Sequence, residues 1–343
     1  MSRDRNVDFL KGIAIFFVIW GHSIQLLGEG LEVFNQPIGR LIYFVHMPLF
    51  MFLSGYVSCR SFDNSFLSMV SKKVVQLFIP MAIYCLISWL MKNLLGLNVI
   101  DNFFLLAKNL VLEFLYGYWF IWTLFECFVI LKIVLDFSNK IHINQNVLVG
   151  TSILLVLLIP NIKYILNADY LKCMYPFFCM GYLLKKNEFA YKYIYNRGGY
   201  FLLFLAIYLF FTFYTTDFSF MYMLKLDLFI DSSTGNLGWN YVNLFVLFVV
   251  GMSGIFVLFY IGNELLKNRE FAFIQDVGKY TLSIYLLQGI IFNAFFTKYQ
   301  FFLHNNLIYF CISVVLLLLC YYSLRFAEYS NITAFLFLGK KIK

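Results

Sequence analysis

The sequence has little charge and few of the residues that hold metals or form disulfides. Charged residues make up 13% of its 343 residues and hydrophobic ones 62%, whereas soluble domains carry about 25% charged residues. This composition excludes an ordinary soluble domain. The seven cysteines form no CxxC pair and mostly fall in apolar segments. We therefore predict neither a metal site nor a disulfide framework.

The chain also lacks an internal repeat, a low-complexity tail and a small-residue cleavage pattern after its first apolar run. We expect no cleaved signal peptide and interpret that run as the first membrane span. The net charge is +8, but the lysines and arginines are scattered between apolar segments. Their placement is typical of membrane topology signals and does not indicate a nucleic-acid partner.

Apolar segments of membrane-spanning length account for most of the chain. They predict an all-α fold, a polytopic membrane helix bundle with about ten transmembrane helices in a single domain over 1–343. With the N-terminus inside, 19 of the 26 lysines and arginines lie on inner segments, which predicts both termini in the cytoplasm. The outer connection, about 217–240, is long enough for a functional loop, and a solvated connector is the alternative. The predicted spans are about 7–27, 38–58, 74–95, 111–135, 147–166, 170–185, 199–216, 241–264, 279–298 and 307–327.

His22 lies near the far end of the first apolar segment, which begins with charged residues. Ionisable residues within a membrane helix are costly and usually functional. At 100° per residue, Asp8 and His22 fall within about 40° of the same face, and Arg5 and Lys11 share that side. We infer chemistry inside a multi-helix bundle, with a structural interhelical hydrogen bond as the alternative for His22 taken alone.

A second histidine, His46, is predicted at a similar depth in the next helix. Ser54 shares its face, and Pro48 is expected to bend the helix beside it. Helical rise puts His22 about 21 Å from Asp8 and His46 roughly 10 Å from the outer end of its own helix. Because a short loop joins the two helices, we predict that the two imidazoles share an active or binding site.

Polar residues also occur in later spans. Glu126 follows Trp119 on one face of the predicted fourth span, and an intramembrane carboxylate is expected to have a partner. Two interpretations of Glu126 stay equally open: a functional group, or a protonated carboxyl that donates a structural hydrogen bond. Thr281, Tyr285 and Gln288 share a face of the ninth span, and we expect these three to be structural.

Lysine pairs flank two of the cytoplasmic loops, at 72–73 and 185–186. Such pairs are ordinary topology signals in most proteins. The alternative is that they bind the phosphates of an anionic cytoplasmic cofactor, which would explain why Arg5 and Lys11 stand at the entrance of the first span.

Several motifs in chain order resemble acyltransferase family 3, multi-pass bacterial membrane O-acyltransferases that modify surface glycans, lipopolysaccharide or small glycosides. The two specific motifs are Arg-x-x-Asp-x-x-Lys-Gly followed by Gly-His, and His-Met-Pro-Leu-Phe-Met-Phe-Leu-Ser-Gly-Tyr. Weaker matches are Lys-Lys-x-x-Gln-Leu-x-Ile-Pro, Tyr-Trp-Phe, Tyr-Pro-Phe-Phe-x-x-Gly-Tyr-Leu and Ser-Ile-Tyr-Leu-Leu-Gln. The resemblance covers nearly the whole chain.

This resemblance implies acetyl-CoA or another acyl-CoA as the donor, without a metal, and a sugar hydroxyl as the acceptor. It places His22, His46 and Asp8 in the catalytic motifs. Donor-binding residues are then expected at Arg5, Lys11, Lys73 and Gln76, and acceptor-binding residues at Ser54, Tyr118, Trp119 and Glu126. Two departures stand out: Lys73 and Gln76 replace arginines that are frequent in the family, and Gln288 replaces a frequent histidine. We therefore expect no proton transfer at position 288.

A neutral imidazole can take a proton from a sugar hydroxyl near neutral pH, which assigns His22 as a general base. Asp8 lies about four turns from His22, too far for a serine-protease-like triad, and is expected to pair with Arg5 or Lys11. Direct transfer and an acyl-imidazole on His22 both stay open.

The expected partners are membrane lipid and a glycan, lipid-linked sugar or small-glycoside acceptor in the bacterial inner membrane, with no nucleic acid and with homo-oligomerisation left open. There are two rival interpretations. One is a transporter or flippase, although the inverted repeats typical of that class are not seen. The other is a non-catalytic sensor or scaffold.

Overall fold

The computed structural model describes residues 4–97, 103–159, 168–187, 198–214, 237–296 and 305–340. Within these ranges the chain forms helices and turns and no strand, which confirms the all-α prediction for them. Two π-helical segments, Gln25–Glu29 and Ile291–Phe296, extend α1 and α12 respectively. The α-helices, numbered in chain order, are α1 (Arg5–Ile24), α2 (Pro37–Tyr43), α3 (His46–Val57), α4 (Phe66–Leu94), α5 (Phe103–Tyr116), α6 (Trp119–Ile141), α7 (Gln145–Leu157), α8 (Ala168–Lys186), α9 (Gly198–Tyr214), α10 (Leu237–Asn268), α11 (Ala272–Val277), α12 (Thr281–Ile290), α13 (Asn306–Ala327) and α14 (Asn331–Leu338).

Five helical segments in the described part of the chain are long and apolar enough to cross a membrane: Arg5–Gly28, Pro37–Val57, Phe66–Leu94, Leu244–Asn268 and Asn306–Ala327. Three shorter apolar helices are Gln145–Leu157, Gly199–Tyr214 and Thr281–Ala294. The predicted count of ten spans is therefore not confirmed. The difference arises because several predicted spans form shorter helices, and because α6 carries Glu126, Lys132, Asp136 and Lys140 along its length.

Several predicted boundaries were wrong. The predicted span 111–135 is two helices, because Gly117 and Tyr118 form a turn between α5 and α6. Glycine ends a helix readily since it has the greatest backbone freedom to lose. The third span begins at Phe66, well before 74. Most of the predicted outer loop, 217–240, lies outside the described residues, and its last part already belongs to α10, which begins at Leu237.

The predicted bend beside Pro48 is a break between α2 and α3 at Phe44 and Val45. Proline has no N–H, and its ring conflicts with the carbonyl four residues earlier, which here belongs to Phe44. The chain responds with a tighter turn, in which the Val45 N–H donates to Ile42 O at 3.2 Å. His46 therefore stands at the first position of a new helix.

Helices α3 and α8 pack with their backbones in contact. A Cβ at Gly55 would lie 1.9 Å from the carbonyl oxygen of Phe178, and a Cβ at Gly181 would lie 1.9 Å from that of Phe52. Small residues permit this close approach between membrane helices. Two motifs of the sequence, Ser-Gly-Tyr in α3 and Gly-Tyr-Leu in α8, therefore meet as one packing interface.

Helix α1 lies in the centre of the bundle, in contact with α3, α10, α11, α12 and α13. Its glycines allow these neighbours to come close: a Cβ at Gly12 would lie 2.3 Å from the carbonyl oxygen of Ile274. Near the other end of α1, the Ser313 hydroxyl of α13 donates to the Ser23 hydroxyl at 2.9 Å. This packing holds His22, the residue before Ser23, inside the bundle.

Candidate active site

His22 is half-buried in the last turn of α1 and binds a side chain of α12. Its Nδ1 lies 3.0 Å from Gln288 Oε1. The Gln288 amide nitrogen donates to the Tyr285 carbonyl oxygen at 3.1 Å, which turns its oxygen toward His22. Because that oxygen only accepts, His22 Nδ1 is the donor, and Nε2 of the neutral ring carries the lone pair. The arrangement presents Nε2 as a base.

His46 is 2% exposed, and the helix break determines its orientation. Its Nδ1 donates to the Ile42 carbonyl oxygen at 2.8 Å, four residues back. In an unbroken helix the backbone N–H of His46 would bind that carbonyl. The side chain takes its place, so His46 also holds its proton on Nδ1 and its lone pair on Nε2. The Tyr43 ring packs edge-on against the imidazole, with the centroids 4.9 Å apart.

The structure brings the two histidines together. Their rings are close enough to interact electrostatically, and Tyr43 lies beside both helices that carry them. A Cβ at Gly21 would lie 3.1 Å from the Tyr43 ring, and the Tyr43 hydroxyl donates to Gln25 Oε1 at 2.7 Å. In the Gly-His motif, Gly21 therefore permits close packing against Tyr43, and His22 provides the polar group.

A cavity of about 100 Å³ lies near this pair, and neither imidazole is among the residues that line it. Its walls are formed by Lys11, Met47, Phe50, Ser54, Leu77, Phe120, Leu124, Thr281, Leu282 and Tyr285. Met47 follows His46 in the chain, and Tyr285 accepts the hydrogen bond from Gln288. Lys11 belongs to the same helix as His22, three turns before it. The cavity thus extends between a lysine and the neighbourhood of the two imidazoles.

The four residues predicted to bind a donor lie in different surroundings. Lys11 lines the cavity, and Lys73 is close enough to it for the two charges to interact. The Lys73 ammonium also lies 3.9 Å from the centre of the Phe128 ring. Arg5 instead forms an exposed ion pair with Glu270 at 2.6 Å, and Gln76 is exposed. The structure brings only the two lysines together.

Asp8 is 5% exposed and lies where α1 packs on α11. A Cβ at Gly278 would lie 1.9 Å from the Asp8 carbonyl oxygen, so this turn of α1 touches the backbone that follows α11. Fourteen residues of helix, about 21 Å, separate Asp8 from His22. The structure therefore does not bring Asp8 to the imidazoles.

The residues predicted to bind an acceptor also separate into two groups. Ser54 lines the cavity, and the Tyr118 ring lies 6.3 Å from the Tyr285 ring. Trp119 stacks on Tyr170 with the ring centroids 4.1 Å apart. Glu126 is 8% exposed, and neither carboxylate oxygen has a hydrogen-bond partner among the described residues. Trp119 and Glu126 are not among the cavity-lining residues named above.

Sequence reasoning missed the role of the face formed by Thr281, Tyr285 and Gln288. These residues were expected to be structural, whereas the structure places two of them on the cavity wall and the third on His22. The sequence showed correctly that these three residues share one helix face, but it does not show which neighbouring helix or cavity that face meets. Among the described residues, no group of three or more histidines, cysteines and carboxylates is placed to hold a metal ion.

The fold and this site define an integral membrane helix bundle with a half-buried and a buried histidine, both base-forming, near a cavity. A comparison with known families identifies the group. The profile of the acyltransferase domain matches residues 4–325, and the chain belongs to acyltransferase family 3. The resemblance noted in the sequence is confirmed.

Two curated proteins are similar over part of their length. The nodulation protein NolL of Mesorhizobium japonicum is 34% identical over 187 residues, which cover 53% of this chain and 48% of NolL. The NolL protein of Sinorhizobium fredii is 30% identical over 192 residues, 54% of this chain and 50% of NolL. The aligned region thus covers about half the length of each relative. No solved structure matches the chain.

Proposed function

We propose that the chain is a membrane O-acyltransferase that moves an acetyl or other short acyl group from cytoplasmic acyl-CoA to a hydroxyl of a cell-surface glycan or glycolipid. The observation that carries the proposal is the convergence of His22 and His46, each with its lone pair on Nε2, beside a cavity lined by Lys11. Membership of an acyltransferase family supports the reaction class.

The cavity and the lysines near it fit an acyl thioester linked to a phosphorylated carrier. Apolar walls with a few polar groups suit an uncharged acyl-thioester end. Lys11 and Lys73 bring two positive charges near each other, and lysines commonly bind phosphates as point charges. Lys11 and Lys73 are therefore the residues that hold the phosphates of the donor.

The reaction needs one base. His22 Nε2 accepts the proton of the acceptor hydroxyl while the hydroxyl oxygen bonds to the thioester carbonyl carbon. The carbon–sulfur bond then breaks, and the departing thiolate takes the proton back from His22. The histidine ends as it began, and no proton is gained or lost overall. Gln288 keeps the ring in the required tautomer throughout.

His46 has a different role, which follows from its hydrogen bond. Because Nδ1 already donates to the Ile42 carbonyl oxygen, the neutral ring offers only an acceptor at Nε2. It cannot donate a hydrogen bond to a thioester carbonyl in that state. We assign it to positioning the acceptor hydroxyl beside His22, and an acyl-imidazole on His22 stays as an alternative route.

The proposed arrangement in the cell follows from the charge distribution. About ten spans forming one domain over 1–343, with both termini cytoplasmic, agree with 19 of 26 lysines and arginines on inner segments. The proposed location is a bacterial inner membrane, with membrane lipid and a sugar acceptor as partners and self-association left open.

The test is transfer by the purified, detergent-solubilised protein. The donor is radiolabelled acetyl-CoA, and the acceptor is surface glycan from a deletion strain of the source organism, freed of O-acetyl groups by mild alkali. Wild type should label the glycan, and His22→Ala should lower the rate by about 10²–10⁴. His142→Asn is the matched control, because His142 is exposed and has a positive φ of 55° that asparagine tolerates. A wild-type protein that moves glycan across vesicles without labelling it would favour a transporter instead.

A further inference from the structure

A carboxylate outside the predicted site residues joins two neighbouring helices. Glu113, in α5, accepts hydrogen bonds from the Ser88 hydroxyl at 2.5 Å and from the Lys92 ammonium at 3.0 Å, both in α4. The side chains of Glu113 and Lys92 are 14% and 23% exposed, and Ser88 is 1% exposed. Glu113, Ser88 and Lys92 form what we call the Glu113 cluster.

Both donors of the Glu113 cluster bind the same oxygen, Oε1. Among the described residues, the other oxygen, Oε2, has no hydrogen-bond donor. The hydroxyl of Tyr118 likewise has no hydrogen-bond partner in that part of the chain. Neither atom is sealed from solvent. A carboxylate that served only to join two helices would gain from donors on both oxygens.

Tyr118 connects the Glu113 cluster to the histidine site. It is close enough to Glu113 for the two groups to interact electrostatically, and its ring lies 6.3 Å from that of the cavity-lining Tyr285. A Cβ at Gly289 would lie 3.5 Å from the Tyr118 ring, and Gly289 follows Gln288, the partner of His22. Tyr118 therefore interacts with Glu113 and packs against α12 one residue after the partner of the base.

The turn at Gly117 produces this arrangement. The Gly117 N–H donates to the Glu113 carbonyl oxygen at 2.8 Å and ends α5. A Cβ at Gly117 would lie 2.5 Å from that oxygen, so the turn has no room for a side chain. After this two-residue turn the chain enters α6, and Tyr118, five residues after Glu113, lies close enough to the carboxylate for the two groups to interact electrostatically.

We propose that Glu113 Oε2 and the Tyr118 hydroxyl bind hydroxyl groups of the acceptor sugar, with Ser88 and Lys92 holding the carboxylate in place. This inference rests on the proposed function. A carboxylate oxygen accepts from sugar hydroxyls, and a tyrosine hydroxyl donates or accepts. The acceptor class is therefore a hydroxyl-rich sugar.

The experiment measures the KM for each substrate separately, with radiolabelled acetyl-CoA and the alkali-treated glycan as probes. Glu113→Gln keeps the shape of the side chain and removes its charge. We expect the KM for the glycan to rise about tenfold, while the KM for acetyl-CoA changes less than about twofold. Glu264→Gln is the matched control, because Glu264 forms an exposed ion pair with Lys267. An unchanged glycan KM in a protein that transfers acetyl groups overturns this inference alone.

A second variant separates acceptor binding from helix packing. The double substitution Lys92→Glu with Glu113→Lys restores an ion pair between α4 and α5 but moves the carboxylate. Monodisperse elution in detergent reports that the variant is folded. We expect it to retain the raised glycan KM, and recovery of the wild-type KM would show that Glu113 acts only in packing. If wild type labels no glycan at all, the proposed function fails, and the inference fails with it.

Discussion

His22 and Gln288 are 266 residues apart in the chain and share one hydrogen bond in the centre of the bundle. The histidine belongs to α1 and the glutamine to α12, and the tautomer of the histidine follows from the orientation of the glutamine amide. The proposed base therefore depends on a residue that the sequence motif around His22 does not contain.

Gln288→Leu removes the acceptor that holds the His22 tautomer. We expect kcat to fall about fivefold, because one hydrogen bond contributes about 1 kcal/mol to the preferred state. Gln288→Glu keeps an acceptor oxygen in the same place and should retain more activity than the leucine variant. Steady-state kinetics with acetyl-CoA and the glycan measure both. Equal rates for wild type and Gln288→Leu would show that the tautomer is set elsewhere.

His46→Ala and His46→Gln should differ in rate. Glutamine offers an acceptor near the position of Nε2, whereas alanine offers none, so we expect the glutamine variant to be the more active of the two. At His22, by contrast, glutamine should not restore the rate, since an amide is not a base at neutral pH. If glutamine restored activity at position 22 but not at position 46, His46 would be the base and His22 the positioning residue.

The donor site is expected at Lys11 and Lys73. Lys11→Ala and Lys73→Ala should each raise the KM for acetyl-CoA, and salt should weaken donor binding in wild type more than in the variants. Arg5→Ala serves as the comparison, because Arg5 is exposed and paired with Glu270, and such surface pairs contribute little. A larger effect at Arg5 than at both lysines would move the donor phosphates to the surface of α1.

The contact between α3 and α8 should be sensitive to a single methyl group. Gly55→Ala or Gly181→Ala places a Cβ on a backbone oxygen of the other helix, and we expect a loss of stability of about 1–3 kcal/mol. Gly150→Ala in α7 is the matched control, because nothing lies within 4 Å of its Cβ position, and it should be neutral or slightly stabilising. Thermal unfolding in detergent measures all three. Equal melting temperatures for the three variants would contradict the packing described.

Acid should weaken the contacts that link α11, α13 and α14. Hydrogen bonds from Lys340 and Tyr280 lower the pKa of Glu328. Burial by itself raises the pKa of Asp276, but hydrogen bonds from Lys279 and Tyr321 outweigh it and leave that pKa below its ordinary value. A carboxylate with a lowered folded-state pKa stabilises the fold above the unfolded pKa, about 4, and loses this contribution as pH falls through the folded value.

We therefore expect the melting temperature to fall as pH drops below about 4, and Asp276→Asn to reduce this dependence. The measurement is a series of melting curves between pH 7 and the lowest pH at which the protein stays soluble. Glu264→Gln, at an exposed pair with Lys267, is the control. A pH dependence that is unchanged in Asp276→Asn would exclude this carboxylate as a source of acid sensitivity.

Much of the site could be predicted because membrane helices have a regular geometry. The face shared by Asp8, Lys11 and His22 follows from 100° per residue, and the short connection before His46 makes two helices neighbours. The break at Phe44 was predicted only as a bend, since Pro48 shows where a helix is disturbed but not how the chain repairs it. That repair determines which nitrogen of His46 carries the proton.

By itself, the sequence determined the all-α class and the family, because low charge, helical periodicity and short motifs are properties of contiguous residues. Only the tertiary structure decided which polar groups meet. It joined Gln288 to His22, placed Lys11 and Lys73 together while Arg5 lay outside, and brought the Tyr118 ring to that of Tyr285. These contacts depend on how helices that are distant in sequence rotate and pack. Small residues such as Gly55 and Gly181 permit close packing, but the sequence does not show which atoms of another helix they will meet.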